Sequence, residues 1–94
     1  MRLNPTELAS ITHTLKQFDP AGAIYLFGSR ADDSKKGGDI DIYFETTQPI
    51  ELRQKLALQH ALITQCDCHV DLLVKQASQA IEPIHKIAMA GIRL

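Results

Sequence analysis

Three acidic residues of this chain are placed where they could bind a cation. Asp39 and Asp41 lie in the segment 39–44, where polar and apolar residues alternate as on a half-buried strand. Side chains two residues apart on a strand leave the same face, about 6.6 Å apart along the chain. Asp71 occupies the polar side of a second alternating segment, Cys68–Val74. If these strands are neighbours, the three carboxylates converge, and their mutual repulsion favours a bound divalent cation such as Mg²⁺.

The pair Gly28-Ser29 has the character of an anion-binding turn. It directly follows the short apolar run 23–27, which we interpret as a buried strand. Glycine lets the backbone turn close to a ligand, and the following amides with the Ser29 hydroxyl form a corner suited to phosphate. Arg30 would add a fork of donors. A phosphate corner beside a carboxylate cluster predicts a site for a metal-bound nucleotide, although neither a P-loop nor a Rossmann glycine pattern is present.

The first element that must position these residues is a helix over 5–18. Asn4 is a suitable N-cap, Pro5 suits the first helical position, and Glu7 stands where a capping box requires it. Apolar residues then recur with helical spacing, at Leu8, Ile11, Leu15 and Phe18.

The remaining elements complete the order α-β-turn-β-α-β-α. A turn over 28–38 joins the first two strands, and a helix runs from Pro49 to about Thr64 with an apolar stripe at Leu52, Leu56, Gln59 and Ile63, widened by Leu58 and Leu62. Pro83 begins a last helix whose apolar side is Ile84, Ile87 and Ala88; Gly91 closes it before a short edge strand at 92–94. We expect an α/β (α+β) domain: a small mixed β-sheet with helices packed on one face. Asp39, Asp41 and Tyr43 would lie on the open face.

Composition limits the class of protein. The 94 residues are 45% hydrophobic with a net charge of -1, which predicts one domain over 1–94 and argues against direct duplex nucleic-acid binding. No apolar run is long enough for a membrane span, and no leader peptide is visible over 1–10. With only two cysteines, we expect a reducing, cytoplasmic location and no membrane partner.

The cysteine region could suggest a zinc site, but the pattern argues against one. The spacing of Cys66 and Cys68 is tighter than in usual zinc motifs, and strand alternation sends Cys68 and His69 to opposite faces. We expect Cys68 in the core, whereas His69 shares a face with Asp71 and could line the site.

Together these motifs carry a resemblance to a known family. Leu26-Phe27-Gly28-Ser29, followed after nine residues by Asp39-Ile40-Asp41-Ile42, resembles the signature of the polymerase-β-like nucleotidyltransferase superfamily. Asp71 matches the third carboxylate of that superfamily. The small size of the chain and its Gly-Ser-Arg-Ala sequence most resemble the minimal nucleotidyltransferases. These are antitoxins paired with a HEPN-type ribonuclease toxin.

The resemblance implies roles for the site residues. Asp39 and Asp41 would hold two Mg²⁺ ions, and Asp71 would complete the metal site and help deprotonate the acceptor hydroxyl. Gly28 and Ser29 would hold the β- and γ-phosphates of ATP. The implied activity is transfer of AMP from ATP to a tyrosine of the HEPN toxin, in a hetero-oligomer with that partner.

The chain departs from the family pattern in the turn. Asp32 and Asp33 stand where relatives often have a basic residue and glycine, and Gly38 stands where they often have serine; Lys35 and Lys36 could offset the acids. Two alternatives therefore stay open. One is an antitoxin that neutralises its partner by binding alone, and the other, less favoured, is a nucleotidyltransferase acting on a small molecule.

Overall fold

A computed structural model describes residues 1–32, 34 and 38–94. Over these residues the chain forms three α-helices, four strands and one 3₁₀ turn. The helices are α1 (Pro5–Phe18), α2 (Leu52–Cys66) and α3 (Pro83–Met89), and the strands are β1 (Ala23–Phe27), β2 (Ile40–Thr46), β3 (Val70–Gln76) and β4 (Ile92–Arg93). The 3₁₀ turn, Gly28–Ala31, follows β1 directly. The predicted element order is confirmed, including the short final strand.

The four strands form one mixed sheet in the order β3-β2-β1-β4. β1 pairs antiparallel with both β2 and β4, whereas β2 and β3 are parallel and α2 makes the crossover between them. In this register Asp41 lies opposite Phe27 on one side and Asp71 on the other. The two predicted strands that carry acidic residues are therefore neighbours.

The start of α1 is fixed by the capping pattern of its sequence. The Glu7 N–H donates to the Asn4 side chain at 2.7 Å, and the Asn4 N–H donates to the Glu7 carboxylate at 3.0 Å. The apolar face of this helix then packs on the sheet, where Ile11 and Leu15 are fully buried. The rest of the buried core comes from the sheet and α2, at Ile24, Leu26, Ile40, Ile42, Phe44, Leu62, Val70 and Leu72.

The predicted apolar stripe of α2 is wrong in its first half. The helix begins at Leu52 rather than Pro49, and the Leu52 and Leu56 side chains are 69% and 54% exposed. Leu62 is buried instead, with Leu58, Ile63 and Cys66 packed around the core. The later turns of α2 lie against the core, whereas among the residues that the structure describes no apolar surface covers Leu52 and Leu56 of its first turns.

The apolar side predicted for α3 is confirmed at Ala88 but wrong at the two isoleucines. Ile84 and Ile87 are 42% and 63% exposed, while His85 and Ala88 are buried. The His85 Nδ1 accepts a hydrogen bond from the Glu82 N–H at 2.9 Å, and its ring stacks on Tyr43 with centroids 5.6 Å apart. A histidine can therefore replace an aliphatic residue here, because its nitrogen caps the helix while its ring is buried.

One correction to the sheet follows from this contact. Strand alternation predicts Tyr43 on an open face, yet the residue is fully buried. Its ring stacks on Tyr25 at 5.8 Å and on His85, while Arg93 lies over the Tyr25 ring. Since strand alternation places Tyr43 opposite the core residues of β2, α3 covers part of the face that carries the acidic residues, and the helices lie on both faces.

None of the helices among the described residues is long and apolar enough to cross a membrane.

Asp19, which follows α1, joins that helix to the end of β2. Its carboxylate is 1% exposed and accepts hydrogen bonds from the Thr46 hydroxyl (2.8 Å), the Thr47 N–H (2.6 Å), the Thr47 hydroxyl (2.8 Å) and the Ala21 N–H (3.0 Å). Burial acts to raise the pKa of this carboxyl, but the hydrogen bonds outweigh it and lower the pKa to about 2.

We expect the substitution Asp19→Ala to lower the free energy of unfolding by about 2–4 kcal/mol at pH 7, because it leaves buried donors without an acceptor. The pKa of Asp19 in the folded chain, about 2, lies below its ordinary value of 3.8. Its contribution is therefore present above about pH 4 and is lost as the pH falls towards 2. Urea unfolding at pH 7 and near pH 2.5 tests this.

The matched control is Asp67→Asn, which removes the charge of an exposed aspartate in the left-handed conformation that asparagine tolerates. We expect its effect to stay within about 0.5 kcal/mol. An Asp19→Ala chain as stable as this control at pH 7, or a difference that does not shrink in acid, would contradict the assignment.

Candidate active site

The Gly28-Ser29 corner is built where β1 ends beside β2. Gly28 has φ +72°, and a Cβ at this position would collide with the Asp41 carboxylate. Only glycine satisfies both conditions, because a positive φ disfavours other residues and no space is left for a side chain. The first residue of the corner is thus held against one of the acidic residues.

Gly38 completes the corner from the other end of the turn. It has φ +90°, and a Cβ there would collide with the Ser29 hydroxyl oxygen. Any residue with a side chain would therefore be strained at this position and would have to displace the Ser29 hydroxyl.

The structure brings two of the three predicted carboxylates, Asp39 and Asp71, together with His69, whereas Asp41 lies beside Asp71 in the sheet with its carboxylate against Gly28 and outside that group of ligand atoms. Asp41 and Asp71 are register partners on the parallel strands β2 and β3, and Asp39 immediately precedes β2. One ligand atom each from Asp39, Asp71 and His69 lies within 4.8 Å of the others. We call Asp39, Asp41 and Asp71 the carboxylate cluster.

The electrostatics of the cluster favour a cation. Asp41 is partly buried, and this burial raises the pKa of its carboxyl, as do the charges of Asp71 and Asp39. His69 Nε2 lies 2.9 Å from Asp71 Oδ1, and this hydrogen bond raises the pKa of His69. Carboxylate oxygens are the donors that Mg²⁺ prefers, so the donor set fits a divalent cation of that kind.

The Arg30 guanidinium is engaged with backbone carbonyls and with Glu7. Its Nε donates to the Gly38 carbonyl at 3.1 Å and its Nη1 to the Arg2 carbonyl at 2.9 Å, with the Glu7 carboxylate 3.5 Å away. In return, the Arg2 N–H donates to the Arg30 carbonyl, and the Arg2 guanidinium donates to the Ser29 carbonyl at 3.0 Å. Arg30 thereby braces the turn, and its contact with a phosphate stays a prediction.

We expect Arg30→Ala to lower the free energy of unfolding by about 1–3 kcal/mol in the absence of nucleotide, since it removes two hydrogen bonds and a partly buried ion pair. Thermal melting of the chain alone measures this. The control is Arg53→Ala, whose side chain is 90% exposed in its pair with Glu51, and it should leave the melting temperature nearly unchanged. If Arg30 served only to contact phosphate, the Arg30→Ala substitution would also leave the melting temperature unchanged.

Other residues singled out in the sequence lie elsewhere. Asp33, Lys35 and Lys36 are outside the described residues. The Asp32 carboxylate accepts hydrogen bonds from the Ser34 N–H (2.9 Å) and hydroxyl (2.6 Å), so it is engaged within its own turn.

The two cysteines pack against the core, as expected for Cys68. Burial raises the pKa of both thiols, that of Cys66 to about 11. This protonated, partly buried state is unfavourable for metal binding by thiolate.

Sequence reasoning missed the contribution of Arg2, for which no local pattern gives a signal. It also could not place the cavity of about 190 Å³ beside Thr47 and Gln76, which lies at the far ends of β2 and β3 from the carboxylate cluster.

An open carboxylate cluster beside a glycine-serine corner is an arrangement suited to a metal-bound nucleotide. Residues 9–94 match the family model described as "Polymerase beta, Nucleotidyltransferase". Because this match covers nearly all of the chain, the chain belongs to the polymerase β nucleotidyltransferase family, and the predicted superfamily is confirmed. No curated protein is a significant match in sequence.

A solved structure agrees with the fold. The chain is similar to one from the crystal structure of a mutant of the toxin–antitoxin pair MntA-HpeT, with a TM-score of 0.74 and 23% sequence identity. The similarity covers 98% of this chain and 72% of that one. The predicted small mixed sheet of a polymerase-β-like nucleotidyltransferase is therefore confirmed.

Proposed function

We propose that this nucleotidyltransferase transfers AMP from ATP to a tyrosine hydroxyl of a HEPN-type ribonuclease toxin, depends on Mg²⁺ and thereby acts as an antitoxin. The observation that carries the proposal is the position of Asp41, in register with Asp71 and in contact with Gly28. This register supports the proposal because it brings carboxylates that could hold a cation next to the Gly28-Ser29 turn, which could hold phosphate. The similarity to a chain of a toxin–antitoxin structure supports a toxin as the acceptor.

In this proposal each site residue has a separate role in an in-line displacement at the α-phosphorus of ATP. The Gly28-Ser29 corner binds the β- and γ-phosphates and keeps the α-phosphorus in line with the acceptor. Asp39 and Asp41 would hold two Mg²⁺ ions, whose chemistry there would be to neutralise triphosphate charge and to activate the acceptor oxygen. Asp71 takes the proton of the tyrosine hydroxyl while the tyrosine oxygen attacks the α-phosphorus. Pyrophosphate then leaves with the electrons of the broken P–O bond.

The direct test combines the chain, Mg²⁺, the purified product of the adjacent gene and ATP labelled at either the α- or the γ-phosphate. We expect label on the partner from α-labelled ATP alone, and its loss with Asp39→Asn or with tyrosine-to-phenylalanine substitution in the partner. The control is Asp67→Asn, which removes an exposed acid outside the site. Label from γ-phosphate alone would mean phosphorylation and would rule out this function.

Neutralisation by binding alone is the second candidate function. The exposed apolar side chains Leu52 and Leu56 of α2 and Ile84 and Ile87 of α3 favour it, since they offer surface to a protein partner. Co-expression with the toxin separates the two functions. If Asp39→Asn and Asp41→Asn chains restore growth as fully as the wild type, binding suffices, whereas toxicity in both supports transfer.

A further inference from the structure

His69 is a nitrogen donor placed at the carboxylate cluster. It lies one residue before β3, and the alternation of that strand brings its ring to the same face as Asp71. Its side chain is 52% exposed and that of Asp71 is 59% exposed, so both can be reached by an ion from solvent. The imidazole is a third donor beside Asp39 and Asp71, within 4.8 Å of both.

The separation of these atoms is that of neighbouring ligands on one ion. Two donor atoms bound at right angles, each about 2.1 Å from a metal, lie about 3 Å apart. The distance from His69 Nε2 to Asp71 Oδ1 is 2.9 Å. A cation could therefore take both donors in place of their mutual hydrogen bond with little movement of either side chain.

An imidazole changes which metals a site prefers. Mg²⁺ favours oxygen donors and keeps several waters, whereas Mn²⁺, Co²⁺ and Zn²⁺ also accept imidazole nitrogen. We propose that His69 is a metal ligand together with Asp71, and that it shifts this position of the site from Mg²⁺ towards divalent transition metals. The proposal rests on the proposed function only for its place in the reaction, since metal binding is measured without nucleotide or partner.

A purely orienting His69 would behave differently. If the ring only fixes the Asp71 carboxylate by a hydrogen bond, its loss should weaken the binding of Mg²⁺ and Mn²⁺ alike. If the ring is a ligand, its loss should weaken Mn²⁺ selectively and remove a nitrogen from the coordination of the ion.

The experiment titrates the full chain with Mn²⁺ alone and follows free Mn²⁺ by electron paramagnetic resonance, with Mg²⁺ as the competitor. We expect His69→Gln to weaken Mn²⁺ binding at least fivefold while Mg²⁺ binding changes less than twofold. The control is His60→Gln, which removes an exposed histidine of α2 and should change neither affinity. Equal Mn²⁺ affinity in the wild-type and His69→Gln chains, or an equal loss for both metals, would overturn the proposal.

A second measurement detects the coordinating nitrogen directly. Pulsed paramagnetic resonance of bound Mn²⁺ should show coupling to a directly bound ¹⁴N in the wild type and in His60→Gln, but not in His69→Gln. Absence of this coupling in the wild type would overturn the proposal without any substitution. Transfer activity is judged separately: a chain that binds Mn²⁺ through His69 but transfers no AMP refutes the proposed function, not this ligand.

Discussion

Replacing Asp41 with asparagine is expected to reduce nucleotidyl transfer by about 10³-fold or more and, at the same time, to raise the melting temperature of the metal-free chain. Asparagine keeps the shape of the side chain but removes the charge that holds cations against the triphosphate, so stabilisation of the developing charge is lost. The gain in stability has a separate cause. Burial, Asp71 and Asp39 all disfavour the charged carboxylate of Asp41, and a neutral amide removes this repulsion.

Two measurements check these opposite effects. Transfer of label from α-labelled ATP gives the activity, and thermal melting in a chelating buffer gives the stability of the chain without metal. Asp67→Asn again serves as the matched control, because it removes one carboxylate outside the site. Activity of Asp41→Asn above about a tenth of wild type would contradict the metal-binding role, and a lower melting temperature would contradict the electrostatic argument.

Gly28→Ala is the second substitution for which we expect a large effect. The added methyl group must occupy a position with φ +72° and would collide with the Asp41 carboxylate. We expect the free energy of unfolding to fall by about 1–3 kcal/mol, since an L-residue is strained in this conformation and the contact forces a displacement. Transfer should fall by about 10²-fold or more, because the Gly28-Ser29 corner can no longer lie against the carboxylate cluster.

A double-mutant cycle separates the two causes of instability. Asp41→Ala removes the carboxylate with which the new methyl group collides, so Gly28→Ala should cost less stability in that background than in the wild type. The remaining cost reports the strain of the positive φ alone. Strictly additive effects in urea unfolding would show that the contact between Gly28 and Asp41 does not limit the substitution.

Elements with local signals were predictable from the sequence. The Asn4–Glu7 capping box sets the start of α1, and alternation predicts the residues of β2 and β3 that face the core, although it does not predict the burial of Tyr43 on the other face. The spacing of Asp39 and Asp41 required only a strand to place both on one face. The predicted proximity of Asp71 depended on one further assumption, that β2 and β3 are neighbours, which the parallel pairing of the structure satisfies.

Features that depend on distant partners were not predictable. The sequence of α3 predicts an apolar side at Ile84 and Ile87, yet the helix buries His85. The His85 ring stacks on Tyr43, and its Nδ1 accepts a hydrogen bond from the Glu82 N–H at the start of the helix. The role of Arg30 likewise depends on Arg2 and Glu7, which approach it only after α1 packs on the sheet. Charge and spacing give no indication of either arrangement.

The parallel register of Asp41 and Asp71 also affects how the chain opens and closes. These residues are thirty positions apart in sequence, with the whole crossover helix between them, yet they face each other on adjacent strands. A cation held by both residues would act as a reversible cross-link that closes a long loop, much as a disulfide does. If the cation stayed bound to the unfolded chain, it would restrict the conformations of that chain. Binding of the cation would thus couple catalysis to the local separation of β2 from β3. We expect amide hydrogens along both strands to exchange more slowly when the metal is bound.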